Sequence, residues 1–370
     1  MSDFKVPFID LVQRYAEERD EIMACVDRVL SKGHLVLTEE LTEFEQQVCD
    51  YTGAKHCIGL NSGTDALMIG LWALGIGKGD EVITTPVSFV ATAGAIAHVG
   101  ATPVFADVKD DQTLDPQAIE KAITPRTKAI MPVQVNGRTC DMDALQAVAD
   151  KHGIMIVEDA AQGLGSKFNG RAAGTFGKFG TISFYPAKLL GCFGDGGAVV
   201  TNDDAVAEAI SLLRDHGRNA DGRVVAWGYN SRLDNVQAAV LNHKFKTFPQ
   251  EIGRRRAIAA AYQAGLGDLP QVTLPPAPDA DARHFDVYQN YEMEADRRDD
   301  LRAFLDGKGI KTIIQWAGTP VHQFKDLGFT VSLPKTDEFF ERCVMLPMNT
   351  AITDEQVQTV IRTIREFYGA

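Results

Sequence analysis

Short apolar segments alternate along the chain with longer segments whose hydrophobic residues recur at helical spacing. Helical patterns such as residues 143–152 and 205–214 separate the apolar segments. Buried strands joined by helices in this way are typical of βαβ units. The pattern therefore predicts an α/β fold with a mostly parallel central sheet and helices on both faces. The predicted strands lie at residues 82–85, 102–106, 129–133, 155–157, 181–184 and 198–201.

The alternation weakens after about residue 241, and the last third of the chain has a different pattern. A charged helical segment at 244–266 leads into a proline-rich connector at 274–281. We expect a strand, an amphipathic helix and a terminal helix beyond it, at residues 288–293, 297–308 and 354–368. The chain is thus predicted to form a large domain at residues 1–245 and a smaller α+β domain at 246–370.

Lys188 follows the apolar run at 181–184 and precedes a glycine-rich loop at 191–197. A lysine that is attached to a rigid strand end and faces an open cavity can hold an aldehyde cofactor as a Schiff base and then release it. Most lysines at strand ends simply point into water, so the position alone does not establish chemistry. Its significance depends on the residues that the fold brings near it.

Asp159 follows the apolar run at 153–157, which reads as a buried strand. A carboxylate at the carboxyl end of a parallel strand lies where open α/β sheets bind ligands. Beside the nitrogen of a pyridine ring, such a carboxylate keeps the ring protonated and makes it an electron sink. The alternative is that Asp159 caps the next helix, and the sequence leaves both interpretations open.

A third feature is the segment at 61–67, which includes Gly63 and Thr64 and opens a helical pattern. Small and hydroxyl residues at a helix N-terminus form a cup for phosphate, although the same residues are also ordinary capping residues. Phe89 follows the predicted strand at 81–84 and is either a core residue or a ring that stacks on a flat ligand. The triplet at 254–256 is expected to be a solvated helix face, with contact to a diphosphate as the alternative.

The phosphate cup, the aromatic ring, the acid and the lysine occur in this order, each at a strand-to-helix junction. Together they describe a site for pyridoxal 5′-phosphate. At this point the chain resembles the DegT/DnrJ/EryC1/StrS sugar aminotransferases, a family of fold-type-I pyridoxal-phosphate enzymes. The resemblance runs nearly end to end, through residues 6–11, 44–45, 62–67, 158–162, 183–188, 194–197, 228–232, 237–239 and 346–348.

The resemblance implies a role for each matching residue. Lys188 would form the Schiff base and move the proton between the substrate carbon and the aldehyde carbon of the cofactor. Asp159 would pair with the pyridinium nitrogen, Gln162 would lie near the phenolic oxygen, and Phe89 would stack on the ring. The resemblance also implies a homodimer with a shared active site, and residues 1–35, helical from 11 to 32, packed on the small domain. The phosphate would be held by Gly63, Thr64, Ser183 and, from the partner subunit, Asn230.

Two segments depart from the family pattern on the side expected to face the substrate. Where relatives carry a Pro-Val-His-Leu-Tyr-Gly-like stretch, residues 132–137 place amides at the histidine and aromatic positions. A His-Tyr-Pro-like segment is likewise replaced at residues 315–317. These departures leave the identity of the sugar and its ring position open. The residues expected on the substrate side are Gln134, Asn136, Trp316 and His322.

Composition restricts the partners. The 370 residues are 45% hydrophobic and 24% charged, as in ordinary soluble domains, and their net charge of −13 would be repelled by nucleic acid or an anionic membrane. No apolar run is long enough to span a bilayer. The six cysteines show no paired or metal-ligating spacing, and with no signal segment they predict reduced thiols in the cytoplasm. None of the eight histidines pairs at i,i+4, so we expect no metal site.

We therefore expect an aminotransferase that converts a nucleotide-diphosphate-linked keto-sugar, by family precedent a 6-deoxy keto-hexose, to an amino-sugar, with L-glutamate as donor. One alternative is a pyridoxal-phosphate lyase or aminotransferase for a cyclitol or an amino acid. A second is a non-catalytic ligand-binding protein of the same fold, against which the intact Lys188, Asp159 and Thr64 argue. A Rossmann dehydrogenase fits only the α/β alternation, because no G-x-G-x-x-G fingerprint follows the first strand.

Overall fold

The computed structural model describes residues 4–370. The helices are α1 (Leu11–Glu17), α2 (Arg19–Lys32), α3 (Glu39–Thr52), α4 (Gly63–Ala73), α5 (Val90–His98), α6 (Pro116–Ala122), α7 (Met142–His152), α8 (Asp204–Leu213), α9 (Asn235–Phe245), α10 (Phe248–Leu266), α11 (Arg298–Gly307), α12 (Pro334–Arg342) and α13 (Asp354–Tyr368). Short 3-10 helices lie at Val135–Gly137, Gln315–Gly318, Val321–Gln323 and Lys325–Leu327.

The strands form the central sheet, a small sheet near the C-terminus and a further three-stranded sheet that pairs residues 167–172 with 284–285. They are β1 (His56–Leu60), β2 (Glu81–Thr84), β3 (Thr102–Phe105), β4 (Thr127–Met131), β5 (Met155–Ile156), β6 (Glu158–Asp159), β7 (Lys167–Phe168), β8 (Arg171–Ala172), β9 (Gly180–Ser183), β10 (Gly197–Thr201), β11 (Val272–Thr273), β12 (His284–Phe285), β13 (Tyr291–Ala295) and β14 (Cys343–Leu346).

The central sheet is mixed but mostly parallel, as predicted. Its strand orders are β1-β10-β9-β6 and β5-β4-β2-β3, and a parallel bridge between Val133 and Asp159 joins the two halves. Only β10 runs antiparallel to its neighbours β1 and β9. Every residue of β10 is buried, as expected for a strand whose two faces are both covered by helices. The α/β prediction is therefore confirmed.

Successive residues of each strand pack into the apolar cores on opposite faces of this sheet. Val82 belongs to one buried apolar cluster and the next residue, Ile83, belongs to another. Ala129 and Ile130 on the neighbouring strand divide in the same way. This is the two-residue side-chain period of a strand. The continuous apolar runs of the sequence arise because both faces are packed.

Near the C-terminus, β11, β13 and β14 form a small antiparallel sheet. A separate apolar cluster covers it, containing buried residues between Ile258 and Ile364 together with Val6. The preceding turns of α10 contribute Phe248 and Ile252 to a cluster of the large sheet, so this helix passes from one core to the other. The boundary at residues 245 and 246 stays a prediction.

The N-terminal segment divides between the two regions. Val6 forms a parallel bridge with Ile310 and lies in the small-sheet cluster. Helix α2 instead packs on α9, where Cys25 and Val29 contact Ala239. The segment near Val6 and Arg14 of α1, which pairs with Glu251, therefore contact the C-terminal region, whereas α2 packs on α9. Residues 1–3 lie outside the described part of the chain.

The strand predicted at 129–133 lies at Thr127–Met131, and three further predicted bounds were wrong for a local reason. The helix expected at 11–32 is broken at Glu18, whose φ of −116° is not helical. The helix expected from 244 begins at Phe248, because residue 244 belongs to α9 and Pro249 occupies the first turn of α10. The strand expected from 288 begins at Tyr291, since Tyr288 has a φ of +51°. That left-handed residue redirects the backbone between the two cores.

Candidate active site

A cavity of about 620 Å³ lies at the carboxyl ends of the central strands. It is closed on other sides by the N-terminal segment at Phe8 and by the C-terminal region at Met345 and Asn349. Eight of the residues named from the sequence line it together. They are Gly63, Thr64, Phe89, Asp159, Gln162, Ser183, Lys188 and Trp316.

Asp159 ends β6 and is held by two donors. The Thr92 hydroxyl donates to Oδ2 at 2.6 Å, and the Ala161 amide donates to Oδ1 at 3.1 Å. Ser88 Oγ lies 2.5 Å from the Thr92 hydroxyl and must donate to it, because the Thr92 proton is already used. Burial raises the pKa of Asp159, whereas both bonds and the charge of Lys188 favour the carboxylate. A turn, not a helix, follows Asp159, so it caps no helix.

Lys188 lies in the loop after β9, at a bend clamped by a side chain from a distant segment. Gln289 Oε1 accepts from the Leu189 amide at 2.8 Å, and its Nε2 donates to the Ala187 carbonyl at 2.9 Å. The two bonds bracket the lysine. Burial lowers the pKa of Lys188 to about 8, against the opposing pull of the Asp159 charge. About half of this amine is therefore neutral, and so nucleophilic, at pH 8.

The N-terminus of α4 lies against β9 to form the phosphate cup. Ser62 accepts the Asp65 amide at 3.0 Å and begins the helix. A Cβ at Gly63 would come within 3.0 Å of Ser183 Cβ, so a glycine permits this approach. The free amides of the first turn and the Thr64 and Ser183 hydroxyls thus share one corner of the cavity.

Gln162 has a defined amide orientation because its oxygen is already occupied. The Asn136 amide donates to Gln162 Oε1 at 2.7 Å. The Gln162 Nε2 group is therefore the donor left for a ligand in the cavity. A hydrogen-bond donor at this position suits an anionic phenolic oxygen.

These residues fit pyridoxal 5′-phosphate. The carboxylate of Asp159 suits the ring nitrogen, the Lys188 amine suits the aldehyde, and the cup at Gly63 suits the phosphate. Phe89 is 56% exposed although it is a large apolar residue, and it lines the cavity, so its ring is available for stacking. The core interpretation of Phe89 was therefore wrong.

Four residues named from the sequence do not line the cavity. Gln134 is fully buried, donates to Glu158 Oε2 at 2.7 Å and accepts the Cys140 amide. Its hydrogen-bonding groups are used internally, so the geometry does not support contact with substrate. His322 is also buried and its Nε2 lies 2.9 Å from Asp337. The other two are Asn136, which lies behind Gln162, and Asn230, which is exposed on an outer hairpin.

The basic triplet is not a solvated face. Arg254 bonds to Asp354, and Arg256 bonds to Asp279. Arg255 is 4% exposed, lines the cavity and donates Nη1 to the carbonyls of residues 288 and 289. The interpretation as a solvated face was wrong because each side chain is committed to a neighbouring segment.

Sequence reasoning missed Thr92 and Gln289. Thr92 lies on α5 three residues after Phe89, and no local signal distinguishes it from a helix-surface threonine. Gln289 lies 101 positions from Lys188 and reaches it only through the fold. Both residues act on a cavity group through hydrogen bonds that the linear sequence does not reveal.

Within residues 4–370, no cluster of three or more histidine, cysteine or acidic residues has the geometry to hold a metal ion. All six cysteines are free thiols. Among the described helices, none combines the length and apolarity needed to cross a membrane.

Comparisons with known proteins identify relatives and solved structures that are similar to nearly the whole of this chain. The chain is 43% identical over 369 residues to dTDP-3-amino-3,4,6-trideoxy-alpha-D-glucose transaminase of Streptomyces venezuelae, covering 98% of this chain and 96% of that protein. It is 41% identical over 373 residues to a pleiotropic regulatory protein of Geobacillus stearothermophilus, covering 98% of each. The crystal structure of S. venezuelae DesV with a ketimine intermediate superposes with a TM-score of 0.94 at 42% identity, covering 99% of each chain.

A further solved structure bears on the cofactor. NtdA of Bacillus subtilis with bound cofactor PMP has a TM-score of 0.89 at 30% identity and covers 99% of this chain and 86% of that one. The family model described as the DegT/DnrJ/EryC1/StrS aminotransferase family matches residues 16–365. The resemblance inferred from the motifs and the expected cofactor are confirmed. The chain belongs to the DegT/DnrJ/EryC1/StrS aminotransferase family and is a pyridoxal-phosphate-dependent aminotransferase.

Proposed function

We propose that the protein transfers the amino group of L-glutamate to the C3 keto group of a nucleotide-diphosphate-linked sugar. The observation that carries this proposal is the meeting of Asp159, Lys188 and the phosphate cup in one cavity of about 620 Å³. Such a volume lies within the range of small-molecule sites. Several relatives support the ring position, since their names specify 3-amino, 3-oxo or 3-aminotransferase chemistry on dTDP- or UDP-linked sugars.

The cofactor, when bound, supplies the electron sink for the carbanion that forms as the substrate carbon loses its proton. Asp159, which Thr92 supports, would hold its negative charge beside the ring nitrogen. Lys188 Nζ takes the proton from the donor carbon and, in the second half of the reaction, returns a proton to the former keto carbon. Gln162 Nε2 would donate to the phenolic oxygen, and Gln289 keeps the lysine bend in place.

Catalysis is favoured over a purely regulatory role for this chain. The relative from Geobacillus stearothermophilus is named a pleiotropic regulatory protein. A protein that only senses a ligand does not require a nucleophilic lysine. Nor does it require a carboxylate such as Asp159, which accepts a hydrogen bond from Thr92 while Thr92 accepts one from Ser88. Both features are present here, and burial keeps the pKa of Lys188 at about 8.

To test this function, the protein is loaded with pyridoxal 5′-phosphate and incubated with ¹⁵N-labelled L-glutamate and a dTDP- or UDP-linked 3-keto-sugar. We expect the label in an amino-sugar whose nitrogen is attached to C3 by NMR. Matched 4-keto-sugars are the control and should react slowly. Labelling at C4 would contradict the ring position. Label transfer only to keto acids or cyclitols would contradict the substrate class.

Replacing Thr92 by valine tests the support of Asp159. Valine keeps the shape but removes a hydrogen bond to a buried carboxylate, worth about 1.5–3 kcal/mol, so amino transfer should slow by about 10- to 100-fold. Steady-state rates with saturating glutamate measure the effect. Thr92→Ser keeps the hydroxyl and should restore most of the rate. A valine variant as fast as the wild type would show that the hydroxyl does not assist Asp159.

We further propose a cytoplasmic homodimer in which Asn230 completes the phosphate site of the partner subunit. The hairpin that carries Asn230 exposes Val224, Val225 and Trp227, the last at 90%. Contiguous exposed apolar residues of this kind mark interaction surfaces. Asn230 does not line the cavity of its own subunit, which agrees with a role across an interface.

The change Trp227→Asp should convert the dimer to a monomer, because a charge replaces an aromatic anchor at the centre of the proposed interface. Light scattering coupled to gel filtration measures the mass. We expect the monomer to retain the cofactor poorly, since it lacks the partner's asparagine. Leu327→Asp, on another exposed apolar residue, is the control and should stay dimeric. A wild-type monomer, or an unaltered mass for Trp227→Asp, would contradict the proposal.

A further inference from the structure

Asn136 is the centre of a hydrogen-bond network that lies behind the cavity. Its Nδ2 donates to Glu292 Oε2 at 2.8 Å and to Gln112 Oε1 at 3.2 Å. Its Oδ1 accepts from Asn290 Nδ2 at 2.8 Å. Its backbone amide donates to Gln162. All its side-chain polar atoms are therefore used, although it was expected to contact substrate.

Glu292 determines the donor-to-acceptor direction of the hydrogen bonds in this network. An ionised carboxylate only accepts hydrogen bonds, so Asn136 must turn its Nδ2 group toward Glu292 and its Oδ1 toward Asn290. Asn290 must then turn its own Nδ2 group toward Asn136. The orientation of two amides thus follows from one buried acid, which is 1% exposed.

Asn290 carries this orientation into the cavity, which it lines. Its Nδ2 group donates one hydrogen to Asn136, which fixes the orientation of the amide. No group within residues 4–370 hydrogen-bonds to its Oδ1, so this oxygen is the side-chain acceptor left for a ligand. An oxygen acceptor binds a hydroxyl or an N–H group and does not bind a group that only accepts.

We propose that Glu292 is a positioning residue that acts through Asn136 to hold Asn290 with its carbonyl oxygen toward the substrate, and thereby selects a sugar that presents a hydrogen-bond donor there. This inference rests on the proposed function and narrows its substrate class. The donor is a ring hydroxyl or the N–H of an acylamino group. A sugar with a hydrogen, or a group that only accepts, at that position is disfavoured.

The ionised form of Glu292 enforces this orientation most strictly. Burial raises the pKa of this carboxyl to about 7, so it titrates in the neutral range. Oε2 already accepts from Asn136, whereas in the described part of the chain the weak donor of the Cys343 thiol is the one other group close to the carboxyl. A proton taken up at Oε1 leaves Oε2 as an acceptor. At pH 8 the ionised form predominates, and the requirement is strictest.

The test measures binding of UDP-glucose, dTDP-glucose and their monofluoro analogues to the loaded protein by calorimetry at pH 8. Fluorine keeps the size of a hydroxyl but cannot donate. In the wild type we expect fluorine at one ring position to weaken binding about ten-fold, the value of one hydrogen bond. In Glu292→Gln, whose amide accepts either orientation of Asn136, that loss should fall to within about two-fold.

Two further variants separate positioning from folding. Asn290→Leu removes the proposed contact itself and should abolish the fluorine penalty independently of Glu292. Glu294→Gln makes the same chemical change on the same strand, at a residue paired with Arg342, and should behave as the wild type. Thermal unfolding of Glu292→Gln should match the wild type, so that altered binding does not reflect a damaged fold.

The outcomes distinguish the two levels of the argument. A fluorine penalty that persists in Glu292→Gln and Asn290→Leu, or no penalty at any position in the wild type, would overturn the positioning role alone. Failure of the wild type to bind either nucleotide sugar would overturn the proposed function, and this inference with it.

Discussion

The change Lys188→Ala should abolish amino transfer, lowering the rate by about four orders of magnitude or more. The variant loses both the covalent attachment of the cofactor and the group that moves the substrate proton. Single-turnover mixing with L-glutamate measures the rate. Mass spectrometry after borohydride reduction measures the attachment, which should vanish. Lys178→Ala, at an exposed lysine paired with Asp203, is the control and should react normally. Appreciable amino transfer by Lys188→Ala would remove this lysine from the mechanism.

The environment of Lys188 adds a pH dependence to this expectation. Attachment of the cofactor requires the neutral amine, and burial lowers the pKa of Lys188 to about 8. The neutral form therefore grows as the pH rises through 8. We expect the rate of cofactor attachment to the cofactor-free protein to rise between pH 7 and 8 and to level off above about pH 9. A rate still rising steeply at pH 10 would indicate an ordinary lysine.

The change Asp159→Asn should slow the proton-abstraction step by about two to three orders of magnitude, because the ring nitrogen loses the carboxylate that keeps it protonated. Asparagine retains an oxygen for the Ala161 amide, so the local turn is preserved. The rate with α-deuterated and unlabelled glutamate measures the step, and its isotope effect should increase in the variant. A near-normal rate would mean that Asp159 serves only the turn.

A second comparison isolates the charge of Asp159 from its packing. Glu158, the preceding residue, is also a buried carboxylate, but it accepts from Gln134 and from the amides of Gly174, Phe176 and Gly177. Glu158→Gln should lower the free energy of unfolding. The isotope effect on proton abstraction, measured on the folded fraction of this variant, should equal that of the wild type. The two neighbouring acids therefore separate a catalytic charge from a structural one.

The central sheet was predictable because its strands are buried on both faces. Continuous apolar runs such as residues 198–201 have few alternatives to a covered strand, and the helices between them carry their own periodicity. The antiparallel direction of β10 was not predictable from its composition, which is that of a parallel strand. The left-handed residue at Tyr288 and the break at Glu18 depend on tertiary contacts that no local pattern encodes.

The cofactor side of the cavity was predictable for a related reason. Asp159 ends β6 and Lys188 lies in the loop after the neighbouring parallel strand β9, so the sheet itself brings them to one edge. The residues expected on the substrate side lie in the loop after β4 and in the C-terminal region. Gln134 and Asn136 lie in a segment that the family pattern assigns to the substrate side. In the structure their side-chain amides instead donate hydrogen bonds to the buried carboxylates of Glu158 and Glu292. Pattern alone does not distinguish an amide that binds a ligand from one that satisfies a buried acid.

The most direct test of the account follows the visible absorbance of the loaded protein through both halves of the reaction. We predict that L-glutamate bleaches the band of the lysine-bound cofactor, and that a dTDP- or UDP-linked 3-keto-sugar then restores it with release of an amino-sugar. A band that glutamate leaves unchanged would contradict the donor. A bleached protein that 2-oxoglutarate restores and no nucleotide-linked keto-sugar restores would contradict the proposed function.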